Sequence, residues 1–324
     1  MHRPSFRFQG LSGRFPGDID IFRTTDISVM RGSKFRREWI TGWLLLLPAL
    51  VFLFAFTHIP AVTTILNSFF STPRGRRPAK FVGLDNYEQM IGDPVFWKVL
   101  WNNLWFALGT IPVSVALAIV MALWVNEKLA GRSFVRMAYF TPTVLPLIAV
   151  ANIWLFFYTP GFGLFDQITG FLLGWPATNY LGNPDSALNA IIVVTVWKEA
   201  GFFMIFYLAA LQSIPVTLKE AAQIEGAGRW TVFRRITFPL LMPTTLFVCV
   251  NAVINSFRLV DHIFILTDGG PDNASALLLF YIYEVAFRFW ETAYGATLTV
   301  ALLVLLSLLA LGQFFFFDRK VHYR

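Results

Sequence analysis

The sequence predicts an all-α integral membrane protein with six transmembrane helices. Its 324 residues are 56% hydrophobic and only 14% charged, where a soluble domain carries nearly twice that charge. Six apolar stretches are each long enough to cross about 30 Å of hydrocarbon as a helix. The bilayer core offers backbone groups no water, so each crossing segment must satisfy its own hydrogen bonds.

The elements follow in chain order. Residues 1–38 mix Arg, Gly, Ser and Asp without periodicity and read as a flexible cytoplasmic leader before a membrane domain at 39–324. This leader is too long for a signal-peptide n-region, and the apolar run after it is too long for an h-region, so that run is a retained span. The predicted spans are Trp39–Ile59, Val99–Val125, Met137–Tyr158, Leu188–Leu211, Leu240–Val260 and Tyr294–Phe317, with the core of the domain at about 98–317. Pro142 and Pro146 interrupt the third span. Trp39, Trp43, Trp97, Trp101 and Trp175 cluster near span ends, as interface anchors do.

Lys and Arg set the orientation. Most of the 26 fall in the leader, in the second–third and fourth–fifth connections, and in the C-terminal tail. That bias places both termini in the cytoplasm. Arg74, Arg76, Arg77 and Lys80 go against the rule locally.

Other classes are excluded by what is missing. A single Cys249 inside an apolar run leaves no disulfide framework and no cysteine metal site. The formal charge of +7 belongs to loops flanking spans and not to a nucleic-acid-binding face. The chain has no Gly-x-x-x-x-Gly-Lys-Ser/Thr phosphate loop, no His-Glu-x-x-His and no Gly-x-Ser-x-Gly. It is therefore expected to hydrolyse no ATP, to be no enzyme and to carry no cofactor.

The fourth–fifth connection, residues 215–239, is polar and helix-prone. Pro215 and Thr217 are good helix-start residues. Gly226 and Gly228 break that helix, a second short helix is expected at Trp230–Ile236, and Pro239 opens the fifth span. Ala221 and Ala222 leave a face small enough for close approach to a partner, with Glu220 and Arg234 or Arg235 at its rim. On residue types alone, an ordinary interfacial amphipathic helix fits as well.

The full spacing, from Glu220-Ala221-Ala222 through Glu225-Gly226 to Ile236 and Pro239, resembles the EAA loop of ABC-importer permeases. Phe238 stands where that family usually has Leu. Gly83-Leu84-Asp85-Asn86-Tyr87, the run Leu266–Pro271, Tyr281-Ile282-Tyr283 and Phe287 are similar to the first permease subunit of carbohydrate importers. The similarity covers Trp43 to the C-terminus. It implies a type I ABC importer permease fold in a prokaryotic inner membrane, surrounded by lipid. It implies a second permease subunit as heterodimer partner, and two ATP-binding-cassette ATPase subunits that grip Glu220, Ala221, Ala222, Glu225, Gly226, Ile236 and Pro239. An extracytoplasmic solute-binding protein would deliver a disaccharide or oligosaccharide. A glycerol-phosphate or polyol importer is the nearest alternative. An ion-coupled secondary transporter, with Asp261 and His262 as a proton relay, is the rival from another class.

Polar residues inside the spans are the remaining candidates. Lys198 and Glu199 lie near the middle of the fourth span, where a charge costs about 2.5–3.5 kcal/mol on insertion scales. Each should face a cavity or a partner. The resemblance implies that Lys198, Glu199 and Phe202, just after Trp197, approach the ligand. On the fifth span Asn251, Asn255 and Arg258 recur at helical spacing beside Ser256, and the resemblance implies a sugar-binding wall there. Helix packing is the other reading for both groups, and His58 and His262 read as interface residues.

Overall fold

A computed structural model of the chain describes residues 27–127, 131–174 and 176–318. The described residues are helical, with two isolated β-bridges, Phe70 with Phe81 and Arg74 with Arg77. Contacts divide the chain into two units, Met1–Pro60 and Ala61–Arg324.

The first unit is dominated by α1 (Ile27–Leu53), followed by a π-helical turn at Phe54–His58, and α2 (Ile59–Asn67) begins at its last two residues and belongs mostly to the second unit. Helix therefore begins inside the segment expected to be an irregular leader. Arg3, Arg7, Arg14 and Arg23, the tail 319–324 and Trp175 lie outside the described residues. His58 turns back on its own helix, its Nδ1 3.2 Å from the Leu53 carbonyl.

The second unit carries α3 (Asp85–Gly92) and then α4 (Pro94–Asn126). Asp93 caps α4 by accepting from the Val95 N–H at 2.8 Å, with Pro94 in the first turn. Phe106, Thr110, Ser114, Ala118, Ala122 and Val125 of α4 are buried at helical spacing, the stripe expected of a packed face. That stripe packs on α8 (Pro184–Ser213), the most extensive helix pair in the unit.

The predicted third span is two helices, α5 (Arg132–Val144) and α6 (Leu147–Phe157), bent by 101°. Leu145 is extended, as the residue before a proline is driven to be, so Pro146 makes the break. Pro142 stays inside α5 and interrupts nothing. A short apolar helix, α7 (Leu164–Leu173), follows.

After α8 come α9 (Val216–Ile224) and α10 (Arg229–Val232). A π-helical turn at Phe233–Thr237 leads into α11 (Phe238–Arg258), so helix is continuous over Arg229–Arg258. The separate helix expected at Trp230–Ile236 is thus the start of the fifth span, and Pro239 sits in a helix already under way. Its ring is tolerated in the first turn of α11, where the preceding wide turn relaxes the hydrogen-bond ladder. The described residues end with α12 (Asp261–Leu266), α13 (Leu278–Tyr283) and α14 (Thr292–Asp318). Two apolar clusters fill the unit. One is built around Phe106, Ile191, Phe280 and Leu298, the other around Phe203, Met204, Tyr207 and Leu241.

Candidate functional site

The α9–α10 connection is an exposed, hydrogen-bonded turn. Gly226 adopts φ +80° just past the end of α9, a backbone region closed to most residues. Its N–H donates to the Gln223 carbonyl at 3.0 Å, and the Ala227 N–H donates to the Ala222 carbonyl at 2.9 Å. This is the paired 6→1 and 5→2 bonding of a Schellman cap, which fixes the turn without tertiary help. None of the α9 residues is buried. Glu220, Ala221, Glu225 and Gly226 are exposed beside bare apolar side chains, with Ile224 88% and Trp230 70% exposed. Ala222 and Ile236 are half-buried and Pro239 is exposed. An exposed, capped helix with apolar and acidic groups side by side is suited to a protein groove.

Lys198 leads elsewhere. Its ammonium donates to the carbonyls of Pro142 at 3.0 Å, Thr143 at 3.4 Å and Leu145 at 2.6 Å. These are carbonyls that the end of α5 leaves without helical partners, and a cation there also meets the negative end of the helix dipole. Lys198 thus holds the break in the third span. Gly201, one turn further along α8, sits so close that a Cβ would fall 2.2 Å from the Tyr139 carbonyl.

Glu199 points to α11, where Asn255 Nδ2 lies 3.4 Å from each carboxylate oxygen. The pair borders a cavity of about 10 Å³, room for one water, together with Thr110, Ser114, Thr195 and Ser256. Phe202 is half-buried and packs edge-on to Phe206, with ring centroids 5.1 Å apart.

The fifth span has two faces. Leu241, Thr245, Val248, Ala252 and Ser256 are buried, whereas Leu240, Pro243, Phe247 and Arg258 are exposed. Asn251 is half-exposed, its Nδ2 donating to the Phe247 carbonyl at 2.8 Å. Ser256 is on the buried face, its hydroxyl donating to the Val253 carbonyl at 2.8 Å. The expected single stripe is therefore divided, with Asn251 and Arg258 outward, Ser256 inward and Asn255 between them. His262 is buried against Phe106 and Thr195, while its neighbour Asp261 is exposed.

Three side chains that organise the far end of the unit escaped the sequence reading. Asn102 Nδ2 donates to the carbonyls of Asn273 and Ala276 at 2.8 and 2.9 Å. Asn103 accepts from the Leu278 N–H at 2.7 Å and donates to the Ser256 carbonyl at 3.2 Å. Asp93 Oδ2 receives the hydroxyls of Tyr281 and Tyr294, each at 2.6 Å. The signal was there in Asn102-Asn103 as adjacent amides within an apolar run, and in a carboxylate one residue before Pro94. Partial burial pushes the Asp93 carboxyl up, but the tyrosine hydroxyls and the N–H groups of Val95 and Phe96 outweigh it and hold it below the usual value of 3.8. Burial and the Asp93 charge push the Tyr281 hydroxyl up.

Comparison with known proteins returns one consistent answer. Residues 114–323 match the family model described as binding-protein-dependent transport system inner membrane component. The chain is 34% identical over 267 residues to a probable ABC transporter permease protein of Pyrococcus horikoshii, covering 81% of this chain and 90% of that one. It is 32% identical over 295 residues to the lactose transport system permease protein of Rhizobium radiobacter, covering 88% and 96%. Its fold is similar to a crystallised bacterial ABC transporter involved in the import of the acidic polysaccharide alginate. That match has a TM-score of 0.79 at 23% identity, over 90% of this chain and 99% of that one.

Proposed function

The chain belongs to the binding-protein-dependent transport system inner membrane components, and from that premise we propose that it forms one half of the membrane channel of an ATP-driven carbohydrate importer. The observation that carries this reading is the exposed, Schellman-capped α9 with Glu220 and bare Ile224 beside it. It is a handle shaped for another protein. That protein is an ATPase subunit, and Glu220, Ala221, Ala222, Glu225, Gly226, Ile236 and Pro239 form the surface it grips. Two such ATPases, a second permease and an extracytoplasmic solute-binding protein complete the transporter. ATP-driven closure of the ATPase pair draws the handles together and rocks the spans between two states. Both termini are cytoplasmic, as the Lys and Arg bias requires, and residues 39–324 make up the permease domain.

The solute passes the outward faces of α8 and α11. Asn251 and Arg258 present donors and acceptors suited to hydroxyl groups, and Phe202 offers a ring to the apolar face of a sugar. Glu199 and Asn255 form a preset hydrogen-bonding pair at the border, Lys198 holds the broken span that shapes the path, and Ser256 supports the wall from behind. The kinship with a lactose permease favours a disaccharide or oligosaccharide. Arg258 supports a second reading, a phosphate ester such as glycerol phosphate, because this exposed guanidinium has no carboxylate partner among the described residues.

The test is uptake into proteoliposomes by the complex purified with its copurifying subunits, against a panel of labelled disaccharides and phosphate esters. ATP-dependent uptake of a disaccharide is the expected result. Uptake by this polypeptide alone, driven by an ion gradient without nucleotide, would overturn the proposal.

A further inference from the structure

The basic cluster that defies the charge rule lies in a built cavity. The connection between α2 and α3 folds back on itself through the Phe70–Phe81 and Arg74–Arg77 bridges. This brings Arg74, Arg77 and Lys80 round a cavity of about 390 Å³, whose other walls include Asn86, Gln89 and Tyr294. Glu291 is the one carboxylate among the lining residues, and it is paired with Arg74. Arg77 and Lys80 are left exposed with no carboxylate partner among the described residues. The cavity therefore holds uncompensated positive charge.

A second cavity, of about 350 Å³, shares α3 and α14 with the first, takes further walls from α4 and α13, and is almost wholly apolar, lined by Met90, Leu100, Ala301, Val304, Leu305 and Leu308 among others. The two are in line. On α3, Asn86 and Gln89 face the first cavity while Tyr87 and Met90, on the adjoining face, line the second. On α14, Ala301, Leu305 and Leu308 fall on the same side as Tyr294, about two to four turns further along. That places the apolar groove about 10–21 Å below the basic cavity, the depth of one leaflet of a bilayer with a core of about 30 Å. Exposed Phe81 and Trp290, at 72% and 73%, flank the cationic end, where aromatic side chains mark the headgroup level.

We propose that this stacked pair is a binding site for an anionic phospholipid, its phosphate held by Arg77 and Lys80 and one acyl chain laid along α14. A soluble anion has no use for the groove, and an acidic protein surface does not reach down it. A phospholipid satisfies both halves at once. The site also gives the outward-facing cations a reason to be there, since they answer a ligand and not the insertion bias.

The experiment is native mass spectrometry of the intact transporter, with its copurifying subunits, reconstituted with phosphatidylglycerol or phosphatidylcholine and then progressively delipidated. Phosphatidylglycerol should persist as a bound adduct and phosphatidylcholine should not. The double variant Arg77→Gln/Lys80→Gln should weaken retention about thirtyfold, at about fivefold per cation. These two side chains are exposed, so the fold survives the change. Leu305→Trp, which fills the groove, should lower retention with the cations intact. Millimolar inorganic phosphate should not displace the lipid. Equal retention of both lipids, unchanged retention in the double variant, displacement by phosphate, or a crosslink showing a partner subunit's helix lying in the groove would each overturn the proposal.

Discussion

Lys198 Nζ lies 2.6 Å from the Leu145 carbonyl oxygen, and with Pro142 and Thr143 it closes the end of α5 at the point where the third span breaks. A lysine in mid-membrane is expensive unless its donors are used. Here all three are used by backbone that has no helical partner of its own. The break and the charge are therefore one device, because each satisfies the other.

Lys198→Met should accordingly act through structure. Removing the ammonium orphans carbonyls at the break, at about 1–3 kcal/mol. The melting temperature of the purified complex should fall and uptake should fall with it. Lys198→Arg should recover part of both. A solute-contacting lysine would give a different pattern, with uptake lost and melting unchanged.

Asp93 ties α4 to α13 and α14 through the hydroxyls of Tyr281 and Tyr294. Its carboxyl is held below 3.8 in the folded protein, so the folded state favours the charged form. The resulting stability is fully present above about 3.8 and is lost as pH falls through the lower folded value. Asp93→Ala should lower the melting temperature at neutral pH. The gap between variant and wild type should stay constant down to about pH 5 and narrow below about pH 4. Melting curves across that range check it, and a gap that widened on acidification would contradict the assignment.

At the proposed handle, Gly226 has φ +80° and a Cβ there would meet no atom of this chain, so Gly226→Ala tests backbone strain without an intramolecular clash. Gly226→Ala should cost about 1–2 kcal/mol locally and loosen the Schellman cap. Gly226→Pro and Glu220→Lys should uncouple nucleotide hydrolysis from uptake without preventing membrane insertion. The check is the ratio of ATP hydrolysed to solute imported in proteoliposomes, and an unchanged ratio in both variants would remove this loop from the coupling path.

Much of this was legible in the residues, and what was not has a physical reason. Long apolar runs announce spans because the bilayer leaves them no other structure, and Gly226 after a helix-prone run announces the capped turn because a left-handed position demands glycine. Whether a polar side chain inside a span faces solute or backbone is a different matter. Lys198 and Ser256 have the chemistry of a binding wall, yet the one reaches a helix end 53 residues away in sequence and the other bonds its own helix. Sequence spacing shows which residues share a stripe, but which side of α11 is covered depends on α4 and α8. The same limit hid Asn103, whose partners Leu278 and Ser256 are 175 and 153 residues distant.

On the proposed function, the two faces of α11 separate a solute-facing wall from its support. Arg258 and Asn251 lie outward with side chains reachable by a solute, so Arg258→Gln and Asn251→Ala should raise the half-saturating solute concentration with little effect on melting. One lost hydrogen bond to a bound sugar corresponds to about 0.5–1.5 kcal/mol, and one to a charged group to about 1.5–3 kcal/mol. Arg258→Gln should therefore shift that concentration by about tenfold or more, and more for a phosphate ester than for a sugar. Ser256→Ala removes only a hydroxyl bonded within its own helix and should leave uptake kinetics unchanged. Asn255→Ala is the intermediate case, since it withdraws the donor from Glu199 and should depress uptake while the complex still assembles. Titration of uptake rate against solute concentration in the four variants decides the matter. An effect of Ser256→Ala as large as that of Arg258→Gln would place the pathway on the other side of the helix.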